Sequence, residues 1–366
     1  MEGVSNVSPP TGQPSSAATH DKLAELVQRA FNLAHEAVAM PGGASTRQYF
    51  RLTLADGKSA VAMFVPEGGK AEEVQKDHGG TRWPFLEVRD LLAEHGVDVP
   101  LVLAEDTTHG WLLIEDLGDE TLANWLLKNP GDREGLYRKA VQDLARAQGE
   151  LAKLPQGCVV ASREFDFDLL RWEIEHFREW GLEARGKPLP ADDVPAWNRL
   201  ADRLAHRIAD MPRGFVHRDY QSRNIMVVPS PDAPGEPARG HRLVWIDFQD
   251  ALLGPRVYDL VALLNDSYQE FDRAFVESRL GEYAAVAGIP DVGQLHAEFD
   301  LVTVQRKLKD AGRFVFIDRQ KGNPSFLKFV EPTIKKVGGA LARLAPTDPD
   351  MAELRAVLAR TLGDEL

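Results

Sequence analysis

The chain has 366 residues, 43% hydrophobic and 27% charged, a globular composition too long for one ordinary core and suited to two lobes. Its formal net charge of -13, with no basic stripe, argues against a nucleic-acid binder and fits either solubility or cationic partners. A single cysteine, Cys158, rules out an intrachain disulfide and any metal site built on several thiolates. No apolar run is long enough to span a bilayer, and no basic segment followed by an apolar one opens the chain. The expectation is a cytoplasmic protein without membrane or nucleic-acid partners; its oligomeric state stays open.

Residues 1–20 are rich in Ser, Pro, Gly and Thr and are expected to form a disordered tail. From Asp21 to Met40 the spacing predicts a helix, with Leu23, Leu26, Val27, Ala30, Phe31 and Ala34 on one stripe. Pro41-Gly42-Gly43 stops it. Gln48 to Leu54 and Ser59 to Val65 read as strands joined through Ala55-Asp56-Gly57-Lys58, a hairpin signal. A helix over Trp83 to His95 and strands over Val99 to Ala104 and Gly110 to Leu117 complete a small sheet lobe, 21–117.

The remainder, 118–366, reads as mainly helical, with helices over Gly135 to Leu154, Phe167 to Trp180 and Val194 to Ala209. A compact β segment interrupts them: Phe215 to Val216, Ile225 to Val228 and Leu243 to Ile246, with a Pro/Gly-rich connector at 229–240. From about 257 onward the pattern is helical again. The fold class is therefore α+β, a small antiparallel sheet lobe followed by a mainly helical one.

The chemistry sits in His217-Arg218-Asp219-Tyr220-Gln221-Ser222-Arg223-Asn224 and in Ile246-Asp247-Phe248-Gln249-Asp250, each flanked by apolar strand residues. Phosphoryl transfer from ATP needs a divalent metal to offset phosphate charge and a carboxylate to orient the acceptor hydroxyl and take its proton. Mg2+ prefers hard oxygen ligands, which an Asn carbonyl and an Asp carboxylate at the ends of adjacent strands supply. Asp219 fits the catalytic base, and Asn224 and Asp247 the metal. His217 takes a structural role, bracing the loop through backbone hydrogen bonds. His-x-Asp alone is a weak signal; His-Arg-Asp, an Asn five residues on and a strand-borne Asp some twenty residues later match a kinase catalytic loop and metal segment. No Gly-x-x-x-x-Gly-Lys-Ser/Thr stretch exists, which excludes a P-loop NTPase.

These segments resemble the aminoglycoside phosphotransferase and choline kinase superfamily, a branch of the two-lobe protein-kinase-like fold. Asp247 is followed by Phe248-Gln249-Asp250 and not by Phe-Gly, and Gly254-Pro255-x-x-Tyr258-Asp259-Leu260 with Asp266 is similar to the small-molecule branch. Over roughly 40–335 the chain looks most like bacterial anomeric N-acetylmuramate/N-acetylglucosamine kinases, through Gly42 to Leu52, the two catalytic segments and Gln305-Arg306-x-Leu308-Lys309. The resemblance implies ATP and Mg2+ as cofactors and a small sugar as acceptor, phosphorylated at its anomeric hydroxyl during cell-wall recycling. Rivals are another small alcohol (an aminoglycoside, choline or homoserine) or a catalytically silent nucleotide-binding protein.

The resemblance also implies a phosphate-covering loop at Gly43, Ala44, Ser45, Thr46 and Arg47, and an adenine-reading hinge at Glu115 to Leu117. Kinases of this fold carry a strand Lys at the phosphates; here Ala62 or Met63 stands in its place, and Arg51 or Arg47 is the candidate substitute. On the acceptor side, Arg306 is the candidate partner for an acidic sugar, with Tyr220 and Arg223 beside it. The alternative for Arg306, Lys307 and Lys309 is a solvated helix face, and that for the aromatic residues of 165–180 is helical core.

Overall fold

The computed structural model describes residues 17–41, 47–66, 82–230 and 240–366. Residues 1–16 of the expected tail, 42–46 of the expected phosphate loop and 231–239 of the connector lie outside the described residues. The chain divides into two compact units, Met1–Lys76 with Pro100–Leu117, and Asp77–Val99 with Gly118–Leu366. This differs from the expected 21–117 lobe in the segment 82–99. That segment belongs to the second unit because Phe85 stacks on Phe248 at 5.1 Å and the Trp245 N–H donates to the Asp98 carbonyl at 2.8 Å.

In the first unit, helix α1 (Ala17–Phe31) lies on a five-stranded antiparallel sheet, β1 (His35–Ala39), β2 (Gln48–Leu54), β3 (Ser59–Phe64), β4 (Val102–Asp106) and β5 (Trp111–Glu115), in the order β1-β2-β3-β5-β4. Alternate residues of β2 (Phe50, Leu52 and Leu54) and of β3 (Ala60 and Ala62) meet Leu23, Leu26 and Val27 of α1. The β2–β3 turn has Gly57 at φ +83°, as the Asp-Gly signal requires.

The expected helix over 21–40 is corrected. It starts at Ala17, four residues inside the expected tail, and ends at Phe31 because Asn32 adopts the left-handed φ of +53°. Residues 35–39 then pair with β2, from His35 opposite Leu54 to Ala39 opposite Phe50. Tertiary pairing overrides a stripe that reads as helical up to Ala34.

The second unit begins with α2 (Pro84–Glu94). It continues with α3 (Leu122–Lys128), α4 (Arg133–Glu150), α5 (Phe167–His176) and α6 (Val194–Ala209). The expected single helix over 167–180 changes at Phe177 into a π turn, Phe177–Leu182. Two small antiparallel ribbons follow: β6 (Arg213–Val216) with β9 (Leu252–Pro255), and β7 (Ile225–Pro229) with β8 (His241–Trp245). β9 has no counterpart in the sequence reading. Helices α7 (Tyr258–Leu264), α8 (Arg273–Ala287), α9 (Val292–Lys321), α10 (Val330–Leu344) and α11 (Pro349–Leu362) complete the unit.

α9 is its axis. Asp291 caps its start by accepting from the Gln294 N–H at 2.8 Å, and Gly322 ends it at φ +65°. It is buried on more than one face, the pattern of a central helix. Among the described residues no helix is long and apolar enough to cross a membrane.

Candidate active site

β6 ends at Val216 and β7 begins at Ile225, so the eight residues between them form a loop held at both ends by sheet. Its start is pinned from below: the buried Asp259 carboxylate accepts the backbone N–H of His217 at 2.7 Å and of Arg218 at 3.0 Å. Its middle is pinned by Asp266, whose Oδ2 accepts the Ser222 N–H at 3.1 Å and the Ser222 hydroxyl. Ser222 returns its carbonyl to the Ala123 N–H at 3.0 Å.

The loop folds onto itself through Asp219. Its carbonyl accepts from the Gln221 N–H at 2.8 Å and from the Asn224 side-chain amide at 2.9 Å. The Asp219 N–H points to His217 Nδ1 at 3.3 Å. With its Nδ2 turned to Asp219, the Asn224 amide directs Oδ1 the other way, as a ligand or acceptor. The Asn224 carbonyl accepts the Ile246 N–H at 3.0 Å, continuing the β7–β8 ladder in which Ile225 faces Trp245. Asp247, the next residue, therefore emerges beside Asn224. Hydrogen bonds thus link Asp219 to Asn224, and Asn224 to the residue that precedes Asp247.

Arg218 and Asp247 sit at φ +80° and +64°, a region that non-glycine residues rarely occupy. Such conformations persist where surrounding contacts over-determine them, and they cluster at functional sites. Arg218 is held by Asp259 from below and by Arg306 Nη1, which donates to its carbonyl at 2.8 Å. The Gln249 amide donates to Asp247 Oδ1 at 3.1 Å and to Asp250 at 2.9 Å, steadying the carboxylate.

The electrostatics favour an ionised Asp219. Burial alone would raise its carboxyl, but Lys309, Arg306 and Arg218 outweigh that and hold it below the ordinary carboxylate value. Arg306 Nη2 stands 3.5 Å from its Oδ1. His217 is lowered, first by burial, so the ring is neutral despite the nearby Asp219 and Asp247 charges. Asp259 is pushed up to about 7, chiefly by burial, against the two N–H bonds it accepts.

Asn224 and Asp247 fit a magnesium ion in donor chemistry, one amide oxygen and one carboxylate. Mg2+ commonly takes one or two protein oxygens and completes its shell with phosphates and water. Among the described residues there is no group of three or more His, Cys, Asp or Glu side chains that could hold a metal, so a phosphate-completed site is the one these residues could form.

The other expected residues are placed differently. Tyr220 is fully buried and donates its hydroxyl to the Ala140 carbonyl at 3.0 Å, so it braces the loop and does not face an acceptor. Arg306 and Lys307 are fully buried, which corrects both the solvated helix face and the expected contact of Arg306 with a sugar. The Arg306 guanidinium packs 4.5 Å over the Tyr258 ring and serves the loop. Arg223 is exposed, 3.6 Å over the Tyr268 ring.

In the first unit, Arg51 forms a two-point pair with Asp116, at 3.0 Å through Nε and 3.2 Å through Nη2. Arg47 is half-buried. Glu115 bonds Leu101 twice, N–H to carbonyl at 2.8 Å and carboxylate to N–H at 3.2 Å, and Leu117 follows in the half-buried segment after β5. Gly43, Ala44, Ser45 and Thr46 lie outside the described residues.

The sequence reading gave no role to Asp259, Asp266 and Gln249, and it placed Lys309 only in a basic cluster with Arg306 and Lys307. Asp259 and Asp266 do fall in the Gly254-to-Asp266 pattern, and buried carboxylates after a catalytic loop are the signal that could have assigned them.

A family model described as "Phosphotransferase enzyme family" matches residues 36–296. An N-acetylmuramate/N-acetylglucosamine kinase of Pseudomonas aeruginosa is 34% identical over 331 residues, covering 88% of this chain and 88% of that protein. One of Neisseria meningitidis is 33% identical, covering 88% and 89%. Among solved structures, the GDP complex of an aminoglycoside 2′-phosphotransferase aligns with a TM-score of 0.56 at 14% identity, over 88% of this chain and 98% of that one. A Plasmodium vivax ethanolamine kinase aligns at 0.54 and 14%, over 88% and 87%. At that identity the structures speak for the fold, a two-lobe kinase-like α+β architecture.

Proposed function

This chain belongs to the phosphotransferase enzyme family and is an ATP-dependent kinase, and we propose that it phosphorylates the anomeric hydroxyl of an amino sugar, N-acetylmuramate or N-acetylglucosamine. The observation that carries the chemistry is the loop in which Asn224 donates to the Asp219 carbonyl at 2.9 Å and accepts the N–H of Ile246, the residue before Asp247, at 3.0 Å. The amino-sugar acceptor rests on relatives of that name at 33–34% identity over most of both chains.

In this reading Asp219 orients the sugar 1-hydroxyl in line with the γ-phosphorus and accepts its proton as the new O–P bond forms and the bond to ADP breaks. The cations around Asp219 keep it in the base form. Asn224 and Asp247 would hold magnesium, which offsets charge on the phosphates when bound. Arg47 and Arg51, with Gly43 to Thr46 and Glu115 to Leu117, are proposed for the nucleotide. Most of the rate enhancement then comes from positioning and fixed charge. The product, a sugar 1-phosphate, suits nucleotide-sugar synthesis in cell-wall recycling, and a cytoplasmic setting fits that use of ATP.

The test is ADP release by the purified protein with ATP, magnesium and each sugar. The proposal predicts release that depends on N-acetylmuramate or N-acetylglucosamine and vanishes in Asp219→Asn. Release driven by choline, homoserine or an aminoglycoside, and by neither sugar, would overturn it.

A further inference from the structure

Of the two arginines in the catalytic loop, Arg218 is buried and Arg223 is exposed. The backbone around Arg223 is fixed on both sides. Ser222 before it is held by Asp266 Oδ2, through its N–H at 3.1 Å and through its hydroxyl. Asn224 after it donates its side-chain amide to the Asp219 carbonyl and its N–H to the Gln221 carbonyl, each at 2.9 Å. The side chain is placed as well. Its guanidinium stands 3.6 Å from the centre of the Tyr268 ring, close enough for a cation–π contact.

Tyr268 is itself held in place. Its N–H donates to Asp266 Oδ1 at 2.9 Å, so one buried carboxylate anchors both the loop that carries Arg223 and the turn that carries Tyr268. The Lys336 ammonium ties the same turn by donating to the Asp266 carbonyl and, at 2.9 Å, to the Gln269 carbonyl. Phe329 backs the Tyr268 ring edge-on at 4.8 Å.

What the Arg223 guanidinium lacks is an acceptor. Among the described residues it has neither an ion pair nor a hydrogen bond. Stacking occupies its face and leaves its N–H edge open. Three carboxylates stand on this side, and each is engaged elsewhere: Asp266 with Ser222 and Tyr268, Asp310 with Lys307 at 2.8 Å, and Asp219 toward Arg306 at 3.5 Å. All three act on the Tyr268 hydroxyl, which burial first of all pushes up to about 12 while Arg223 opposes the shift. The stacked pair therefore lies within electrostatic reach of Asp219, where the acceptor hydroxyl is placed. A planar guanidinium with an open edge binds a carboxylate through two parallel hydrogen bonds. Prior stacking reduces the side-chain freedom lost on binding.

We propose that Arg223, held by Tyr268, pairs with an acidic substituent of the acceptor sugar, the lactyl carboxylate of N-acetylmuramate, and is the residue that distinguishes an acidic acceptor from a neutral one. The proposal rests on the amino-sugar reading and goes beyond it by assigning that specificity to a named side chain.

The experiment measures kcat/KM for N-acetylmuramate, its neutral carboxamide and N-acetylglucosamine, together with KM for ATP, in wild type, Arg223→Met and Arg223→Lys. In Arg223→Met the ratio of kcat/KM for the acid to that for the carboxamide falls about 10-fold or more, the size of a lost charged hydrogen bond. The ratio cancels any effect of the substitution that all sugars share. Arg223→Lys recovers part of it, since an ammonium keeps the charge without the fork. An unchanged ratio overturns the proposal. So does a rise in KM for ATP that accounts for the whole loss with every sugar, which would place Arg223 at the nucleotide. Equal kcat/KM for the acid and its carboxamide in wild type overturns it without any variant. Turnover of N-acetylglucosamine but not of N-acetylmuramate overturns it and leaves the amino-sugar reading standing, whereas turnover of neither sugar removes both.

Discussion

Asp259 and His217 are joined by a 2.7 Å hydrogen bond from the His217 backbone N–H to a carboxylate with no exposed surface, and the same carboxylate takes the Arg218 N–H at 3.0 Å. This grip holds Arg218 in its left-handed conformation and thereby sets where Asp219 points. Replacing Asp259 with Ala leaves two buried N–H groups without acceptors, at about 1–3 kcal/mol each. Thermal unfolding of Asp259→Ala is expected at a clearly lower temperature than wild type, with turnover reduced at temperatures where the variant is still folded.

The same residue gives a pH signature. Its folded pKa of about 7 lies above the ordinary value of 3.8, so the folded protein binds more protons than the unfolded chain between those limits. The stability this contributes is fully present below the unfolded pKa and is lost as pH rises through about 7. The difference in Tm between wild type and Asp259→Asn should therefore be larger at pH 5 than at pH 8. A difference that grows with pH would contradict a raised Asp259.

For Asp219, substitution by Asn keeps size and removes the proposed base. Turnover should fall by about 10²–10⁴-fold, with the melting temperature close to wild type because the backbone carbonyl still serves Gln221 and Asn224. Because Lys309, Arg306 and Arg218 hold the carboxyl below its ordinary value despite burial, the acid limb of kcat/KM should lie below that value too. Initial rates across pH test both statements.

The metal role proposed for Asn224 and Asp247 predicts a magnesium dependence that their substitution alters. Asp247→Ala is expected to lower turnover by orders of magnitude while the protein stays folded. Asn224→Asp keeps an oxygen ligand but cannot donate to the Asp219 carbonyl, so it should recover part of its activity at raised magnesium and still fall short of wild type. Near-normal activity in a folded Asp247→Ala protein would remove its metal role.

Arg306 acts through Asp219 and is a positioning residue. In Arg306→Met the Arg218 carbonyl loses its donor and Asp219 loses one of the cations that lower it. The expected result is a fall in kcat with little change in sugar KM, and an acid limb displaced to higher pH. Arg306→Lys should recover the pH profile better than the rate, since one ammonium cannot reproduce the planar fork. An unmoved acid limb would reduce Arg306 to packing alone.

The loop from His217 to Asn224 and the strand that leads to Asp247 were legible because a short loop between two apolar strands fixes the spacing of its polar residues. The Asp-Gly turn at 56–57 was legible for the same local reason. The end of α1 was not, since the stripe to Ala34 stays helical on paper until Asn32 turns left-handed and β2 captures residues 35–39. β9 was hidden because four residues, Leu252–Pro255, are too few to show a period, and only their pairing with β6 makes them a strand. The largest misreading concerned α9. A run of Arg, Lys and Lys reads as solvated until one sees that the Arg218 carbonyl, Tyr258 and Asp310 lie where solvent would otherwise be. The Arg218 carbonyl and Tyr258 are too distant in sequence to leave a mark on local periodicity, whereas Asp310 lies on the same helix.

The most direct test of the central claim is a phosphorus–proton correlation spectrum of the product made from ATP and N-acetylmuramate or N-acetylglucosamine. The account predicts a phosphorus resonance coupled to the anomeric proton of the sugar, formed by wild type and absent with Asp219→Asn. A product whose phosphorus couples to the protons at carbon 6, or the absence of any new phosphorus resonance, would contradict it.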